Sequence, residues 1–172
     1  MNSNFREIFE SRYTWIEGFM RNVRRYSNRL AMIHPEQGKT WNYSQLNRDV
    51  NRLCNALLKE GLQKGDVVMI QTLNCPEFAF AYVAAHKTHS VFCPVSFRLS
   101  AGELAFNIDD SRPFVLIVSP IQLDTALAAI GLSKHKPKKT DCSWRQVNRI
   151  LRFLLRLCCK CSNRRTSFHV CI

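Results

Sequence analysis

The sequence is poor in glycine and has no cluster of glycines that would form a phosphate-binding loop. Its six glycines are spread over 172 residues, and the closest two are Gly61 and Gly65. Long apolar runs are also absent, since the longest, Phe78 to Ala85, falls well short of the ~18 residues that span a membrane. The N-terminal segment is charged and lacks the apolar core of a secretory signal. We therefore expect a cytoplasmic protein with reduced cysteines.

Acidic residues are scarce in only one part of the chain. Residues 131–172 hold 11 Lys and Arg against a single acid, a net charge of +10, whereas residues 1–130 hold 14 against 12, a net charge of +2. Five of the eight cysteines also lie in residues 131–172. The total charge of +12 therefore gives no reason to expect a nucleic-acid partner for the first part. We predict a domain over residues 1–130 and a divergent basic, Cys-rich tail over 131–172.

The first sixty residues predict helices and two short strands. Residues 5–26 are predicted to be helical, and a turn that ends at Gly38 joins predicted strands over 29–33 and 39–43. Ser44 is the predicted N-cap of the next helix, in which the apolar residues form one stripe. The members of that stripe are Leu46, Val50, Leu53 and Leu57. Gly61 stands where a left-handed cap would end this helix.

The next seventy residues alternate between buried strands and helices. Strands are predicted at 67–70, 91–95 and 114–118, and helices are predicted to begin at Pro76, Ala101 and Pro120. Ser100 and Glu103 form a capping box, and Gly131 is predicted to end the last helix. Crossovers of this length make the strands parallel, which predicts an α/β fold with a partial doubly wound parallel sheet. We expect such a half-sheet to leave an edge of unpaired backbone groups.

Five segments of the sequence resemble the adenylate-forming (AMP-binding) enzymes, a superfamily that includes acyl-CoA synthetases. The resemblance covers roughly Tyr26 to Pro120. It rests on five segments in the order that the family shows: Trp41-Asn-Tyr-Ser-Gln-Leu46; Asn51 to Leu57; Gly61, Lys64, Gly65 and Asp66; Asn74-Cys-Pro-Glu-Phe78; and Pro94, Arg98 and Leu99 with Glu103 and Leu104. The resemblance implies the N-terminal part of an ATP-dependent ligase that joins a carboxylic acid, such as a fatty acid, to coenzyme A through an acyl-AMP.

The same resemblance implies segments that this sequence does not contain. The family's ATP, Mg²⁺ and coenzyme A chemistry uses a Ser/Thr/Gly-rich phosphate loop, a Tyr-Gly-x-Thr-Glu segment, a Thr-Gly-Asp segment and a catalytic lysine in a small further domain. Lys64, between Gly61 and Gly65, is predicted to lie in a helix-to-strand turn instead. We therefore assign no catalytic, cofactor-binding or metal-binding residue, expect no cofactor in this chain, and expect a truncated chain that is inactive alone.

His89 departs from the family pattern, which usually has Lys-Ala-Gly where this chain has Lys87-Thr-His89. The histidine takes the place of the glycine at a helix C-cap. A residue with a Cβ adopts a positive φ there at some cost, although histidine is among the less penalised types. The alternative is that His89 serves as a ligand or base. A strained cap is the structural interpretation.

Four interpretations of the tail remain open. The abrupt change in composition indicates a segment foreign to the family, from a frameshift, an alternative exon or a premature stop. A predicted helix over 143–157 with an arginine stripe would instead bind weakly to an anionic membrane, with acylated cysteines beside it. A zinc site would use Cys158, Cys161, His169 and Cys171. The basic run over 134–139 would serve as a nuclear or nucleic-acid signal.

Two functional hypotheses follow. In the first, the chain is part of a carboxylate–CoA ligase. In the second, it is a non-enzymatic module derived from such a ligase that binds a membrane or a protein partner. The acyl substrate is not predictable, because the segments that build the acid pocket in this family are not in the sequence.

Overall fold

The computed structural model describes residues 14–137 and the backbone of residues 169–171. The chain divides into two compact units between Asn51 and Arg52. None of the helices in the described part of the chain is long and apolar enough to cross a membrane. The predicted helix over 143–157, and the beginning of the helical region predicted over 5–26, lie outside the described residues.

The first unit contains a helix and an antiparallel pair of strands. Helix α1 (Trp15–Arg25) begins after Thr14, whose side chain accepts a hydrogen bond from the Glu17 N–H. Strands β1 (Leu30–His34) and β2 (Lys39–Asn42) pair antiparallel, as predicted from their turn. The turn closes at Gly38, whose φ of 60° is the left-handed conformation that glycine adopts readily.

Helix α2 (Tyr43–Lys59) begins earlier than the sequence predicted. The Gln45 N–H donates to the side-chain oxygen of Asn42 at 2.7 Å, and the Asn42 N–H donates to the side-chain oxygen of Gln45 at 2.9 Å. This reciprocal pair satisfies two helix-terminal N–H groups and makes Asn42 the capping residue. The prediction of Ser44 as N-cap was wrong, because Ser44 lies inside the first turn and its N–H donates to the Ser27 carbonyl. The predicted apolar stripe of α2 is buried.

The second unit is built around a parallel sheet. Strands β3 (Val67–Gln71), β4 (Val91–Pro94) and β5 (Val115–Val118) lie in the order β4-β3-β5, and both pairings are parallel. This confirms the predicted strands and their direction. The last residues of β3 and β5, Gln71 and Val118, are register partners, so both strands end at the same edge.

Three helices connect and cover these strands. They are α3 (Pro76–Lys87), α4 (Ala101–Ser111) and α5 (Leu123–Leu132). Helices α4 and α5 pack together over one apolar cluster that includes Met69 of β3 and Leu116 of β5. Helix α3 contacts β3 and β4 and is buried over most of its surface, as its nearly continuous apolar sequence predicted.

The predicted capping box of α4 is confirmed. The Glu103 N–H donates to Ser100 Oγ at 3.4 Å, and the Ser100 N–H donates to Glu103 Oε2 at 2.8 Å. The Ser100 hydroxyl also donates to Glu103 Oε2 at 2.8 Å. The bonds that Ser100 donates, first from its backbone N–H and second from its hydroxyl, lower the pKa of Glu103 because they stabilise the carboxylate.

Both ends of α5 differ from the prediction. Residues Pro120–Gln122 form a 3-10 turn, and the α-helix begins only at Leu123. Gly131 is not the stop, because it lies inside the helix, which ends at Leu132. Ser133 Oγ donates to the Ile130 carbonyl, and Lys136 Nζ donates to the carbonyls of Ile130 and Ser133. Serine and lysine donors thus satisfy the terminal carbonyls that a glycine cap was expected to serve.

The outer edge of β5 is paired, contrary to the open edge expected there. Strand β6 (His169–Cys171) lies antiparallel to β5, in the register Leu116↔Cys171, Ile117↔Val170 and Val118↔His169. No sequence pattern predicted this strand, because three residues are too few for an alternating pattern. The sheet therefore has the order β4-β3-β5-β6.

Candidate functional site at the carboxyl edge of the parallel sheet

The carboxyl ends of β3, β4 and β5 bring three loops together. Gln71 ends β3, Ser96 follows β4, and Ser119 follows β5. The Ser119 N–H donates to the Gln71 carbonyl at 3.2 Å, and the Val95 N–H donates to the Ile70 carbonyl at 3.0 Å. Ligands of open α/β sheets bind beyond this edge, so these loops form the candidate site.

Gln71 is a buried amide with one end satisfied. Its side chain has no exposed surface, and its Nε2 donates to the Ser96 carbonyl at 3.2 Å. This bond fixes which end of the amide accepts, because a reversed amide would bring two oxygens together. The Oε1 atom is buried and has no hydrogen-bond partner among the described residues.

Two further buried oxygens lie after β5. Ser119 Oγ and Gln122 Oε1 have no hydrogen-bond partner in the described chain, and both residues are at least nine-tenths buried. The two residues are held by the 3-10 turn, in which the Gln122 N–H donates to the Ser119 carbonyl at 3.0 Å. The loops that follow two adjacent strands thus hold three unsatisfied polar atoms.

A buried acceptor without a donor costs about 1–3 kcal/mol, so three of them in the loops at one edge need an explanation. Water, a ligand, or another polypeptide segment would supply the missing donors. Gln71, Ser119 and Gln122 are uncharged, so the site suits a neutral hydrogen-bond donor such as an amide N–H or a hydroxyl.

The thiol in this region is not an activated nucleophile. Cys75 follows β3 and precedes the first residue of α3, where a helix dipole would ordinarily favour the thiolate. Burial of the side chain, and secondly the negative charge of Glu77, raise the pKa of Cys75 to about 11. Burial also raises the pKa of Cys54 and of Cys93. All three thiols are therefore protonated at neutral pH.

The segment around Lys64 is a turn, as predicted, and lies at the amino end of β3, opposite the candidate site. Gly61 and Gly65 have φ values of 96° and 87°, which a residue with a Cβ rarely adopts. The Gly65 N–H donates to the carbonyl of His89 at 2.9 Å. These two glycines therefore shape the connection into β3.

His89 has the strained backbone conformation that was predicted for it at the end of α3. It follows the C-cap residue of α3 and has a φ of 55°. Its neighbours Thr88 and Ser90 both donate side-chain hydrogen bonds to the carbonyl of Ala85. These bonds satisfy the last turn of the helix and hold the histidine in the left-handed conformation.

No group of three or more His, Cys, Asp or Glu side chains that would hold a metal occurs among the described residues. The four predicted zinc ligands are not among the residues whose side chains the structure describes. Cys158 and Cys161 fall outside the described residues, and His169 and Cys171 are described only by their backbone, in β6.

Sequence reasoning identified the edge but missed the residues that form the site. The available signal was the position of two polar residues: Gln71 ends one buried strand, and Gln122 closely follows another. Only the register of β3 against β5 shows that Gln71 and Ser119 belong together.

Comparison with known proteins points to one family. The family model described as AMP-binding enzyme matches residues 19–153. The crotonobetaine/carnitine–CoA ligases of Citrobacter koseri and Escherichia coli are 34% and 31% identical to this chain over 97 residues, which is 55% of this chain and 19% of each relative. The chain therefore spans about a fifth of the length of these relatives.

Solved structures agree with this match. The inhibitor-bound N-terminal domain of FACL13 from Mycobacterium tuberculosis is 27% identical, with a TM-score of 0.65 over 72% of this chain and 30% of that one. The O-succinylbenzoate coenzyme A synthetase MenE of Bacillus subtilis has the same fold, with a TM-score of 0.60 at 20% identity over 67% of this chain and 29% of that one. The family match extends beyond Gly131, and the domain boundary there stays a prediction.

Proposed function

We propose, because this chain belongs to the family of AMP-binding enzymes, that it supplies the N-terminal part of a carboxylate–CoA ligase. The observation that carries the proposal is the family match over residues 19–153. The similar proteins are named as ligases of crotonobetaine or carnitine, and of O-succinylbenzoate, with coenzyme A. For this chain we propose the shared reaction class, in which a carboxylic acid is activated by ATP and Mg²⁺ and transferred to coenzyme A.

The contribution of this chain to that reaction is structural support for a site completed by other segments. The parallel sheet fixes the positions of the loops that contain Gln71, Ser119 and Gln122. Their unsatisfied acceptors need donors, which a further segment of a complete ligase domain, or its bound substrate, would provide. We assign no catalytic residue to this chain, because its sequence contains neither the phosphate loop nor the catalytic lysine of the family.

An exchange assay tests this proposal. The purified chain is given ATP, Mg²⁺, labelled pyrophosphate and a panel of short, long and aromatic carboxylic acids, with a full-length ligase of the family as positive control. We expect no acid-dependent exchange, because formation of an acyl-AMP needs charge stabilisation on the departing pyrophosphate. Exchange that is lost in a Ser119→Ala or Gln122→Leu variant would show instead that the carboxyl edge is itself an active site.

We also propose a cytoplasmic location and a weak contact between the tail and anionic membranes. The net charge of +10 over residues 131–172 favours the membrane contact, since each Arg near an anionic surface contributes on the order of 1 kcal/mol. Co-sedimentation of the chain with anionic vesicles should be detectable at low salt and weaker at physiological salt. Replacement of Arg145, Arg149, Arg152 and Arg156 by Gln lowers the net charge of residues 131–172 from +10 to +6 and should weaken the binding strongly. Equal binding to neutral vesicles would contradict this proposal.

A further inference from the structure

The outer edge of β5 is covered by very little chain. Strand β6 contributes three residue pairs, against four pairs between β5 and β3 on the inner side. Pro113 and Pro120, which have no N–H, lie two residues beyond the two ends of β5. The cover is therefore short.

The β5 edge itself has the properties of a strand that accepts another strand. All four residues of β5 are apolar, and all are buried. None is the lysine, proline or inward-pointing charge with which proteins protect an exposed edge. An uncovered β5 would present backbone N–H and C=O groups that need partners. Something has to pair with this edge.

The sequence of β6, which pairs with this edge, indicates which kind of segment binds there. The sequence of β6, His-Val-Cys, has no acid and no Lys or Arg, and it runs antiparallel to β5. Residues of β6 also lie close to α5, so the edge has a helix beside it. Addition of a strand to a sheet edge is a general mode of peptide recognition, in which backbone hydrogen bonds supply much of the affinity.

We propose that the outer edge of β5 is a binding site for an extended, uncharged peptide segment that runs antiparallel to β5, and that β6 occupies this site within the same chain. The segment between Pro137 and His169 has 31 residues. Because these residues join β6 to the same chain, the pairing of β6 with β5 is intramolecular, and β6 has a high effective concentration at the edge. A peptide in trans therefore binds well only when β6 is displaced, which makes β6 an internal competitor.

A variant that empties the edge tests the proposal. Val170→Pro removes the central N–H of β6 and disfavours its pairing with Ile117, whereas Val170→Thr keeps the N–H and a β-branched side chain and serves as the control. The probe is a fluorescent peptide of residues 166–172 with serine at position 171, measured by anisotropy against the full chain. We expect the Val170→Pro chain to bind the peptide at least ten times more tightly than the wild-type and Val170→Thr chains. A probe that itself has proline at position 170 should not bind.

Three results would overturn the proposal. They are equal affinity of the probe for the wild-type and Val170→Pro chains, no binding to the Val170→Pro chain, and dimerisation of that chain in place of peptide binding. Hydrogen exchange on the same proteins guards against a misfolded variant. The amides of residues 115–118 should exchange faster in Val170→Pro than in the wild type, whereas those of 67–71 should stay protected. Unchanged exchange at 115–118 would show that β6 does not protect this edge.

Discussion

The two ends of the parallel sheet are built differently. At the amino end, where the chain enters β3 and β4, the Gly65 N–H donates to the His89 carbonyl at 2.9 Å and the Val91 N–H donates to the Asp66 carbonyl at 2.8 Å. The Asp66 carboxylate accepts from the Gln63 N–H at 2.8 Å. At the carboxyl end, three buried oxygens have no partner among the described residues.

This difference separates the groups that stabilise the fold, at the amino end, from the groups that are available for binding, at the carboxyl end. The amino end uses glycines and a strained histidine to close its turns, and its polar groups are joined to one another. The carboxyl end holds buried oxygens that destabilise the fold unless another group completes their hydrogen bonds. The hydrogen-bonded turns at the amino end therefore stabilise the fold, whereas binding is expected at the polar carboxyl end.

The largest effect should come from the amino end. Gly65→Val should lower the free energy of unfolding by about 2–3 kcal/mol, because a β-branched residue is strongly disfavoured at a φ of 87°. Urea denaturation followed by circular dichroism measures the change. Gly102→Ala is the matched control, since Gly102 lies in the first turn of α4 with open space around its Cα. That control should be neutral or slightly stabilising, and an equal loss in both variants would contradict the special role of the turn.

The carboxyl end should respond in the opposite direction. Ser119→Ala and Gln122→Leu each remove a buried oxygen without a partner, so each should raise the free energy of unfolding by about 1 kcal/mol. Thr88→Val is the comparison at the amino end. It removes a hydroxyl that donates to the Ala84 carbonyl at 2.9 Å, and it should cost about 1 kcal/mol. Destabilisation by Ser119→Ala would mean that its hydroxyl is already satisfied in the isolated chain.

The strained histidine gives a smaller effect. His89→Gly should stabilise the chain by about 0.5–1 kcal/mol, because relief of the positive φ is offset in part by the greater freedom of glycine in the unfolded chain. His89→Ala keeps the Cβ and should bring no gain, which separates backbone strain from any role of the imidazole. A gain in both variants would attribute the effect to the side chain.

Local signals in the sequence were read correctly where each rests on neighbouring residues. The Ser100–Glu103 box and the positive φ at Gly61 and His89 are of this kind. The prediction was wrong at Ser44 because two good capping residues, Asn42 and Ser44, stand close together, and only the end of β2 decides between them. It was wrong at Gly131 because Lys136, from outside the helix, donates to the carbonyls of Ile130 and Gly131 in the last turn of α5.

The candidate site was less predictable because it depends on contacts between distant segments. Gln71 and Ser119 are 48 positions apart in the sequence and meet only through the parallel register of β3 and β5. Strand β6 is more distant still, and its three residues have no pattern of their own. Edge pairing of this kind is decided by the sheet and not by the local sequence.

The smallest effect on stability, and the sharpest test of the chemistry at the carboxyl edge, concerns Cys75. Its thiol should react slowly with iodoacetamide at pH 8, because a pKa of about 11 leaves very little thiolate. The alkylation rate, followed by mass spectrometry of the Cys75 peptide, should rise about tenfold per pH unit up to pH 10, whereas an exposed thiol with a pKa of about 8.5 reaches its plateau near pH 9.

Because the native pKa of Cys75 lies above its value of 9.0 in an unfolded chain, the protonated thiol stabilises the fold below pH 9, and this contribution is lost as the pH rises towards 11. Glu77→Gln removes the second cause of the raised pKa and should speed alkylation of Cys75 at pH 8 several-fold, while burial keeps the rate below that of an exposed thiol. A plateau near pH 9 in the unsubstituted chain would mean that the thiolate is stabilised where Cys75 lies. The carboxyl edge would then contain a nucleophile, and the distinction between a closed amino end and a purely hydrogen-bonding carboxyl end would no longer hold.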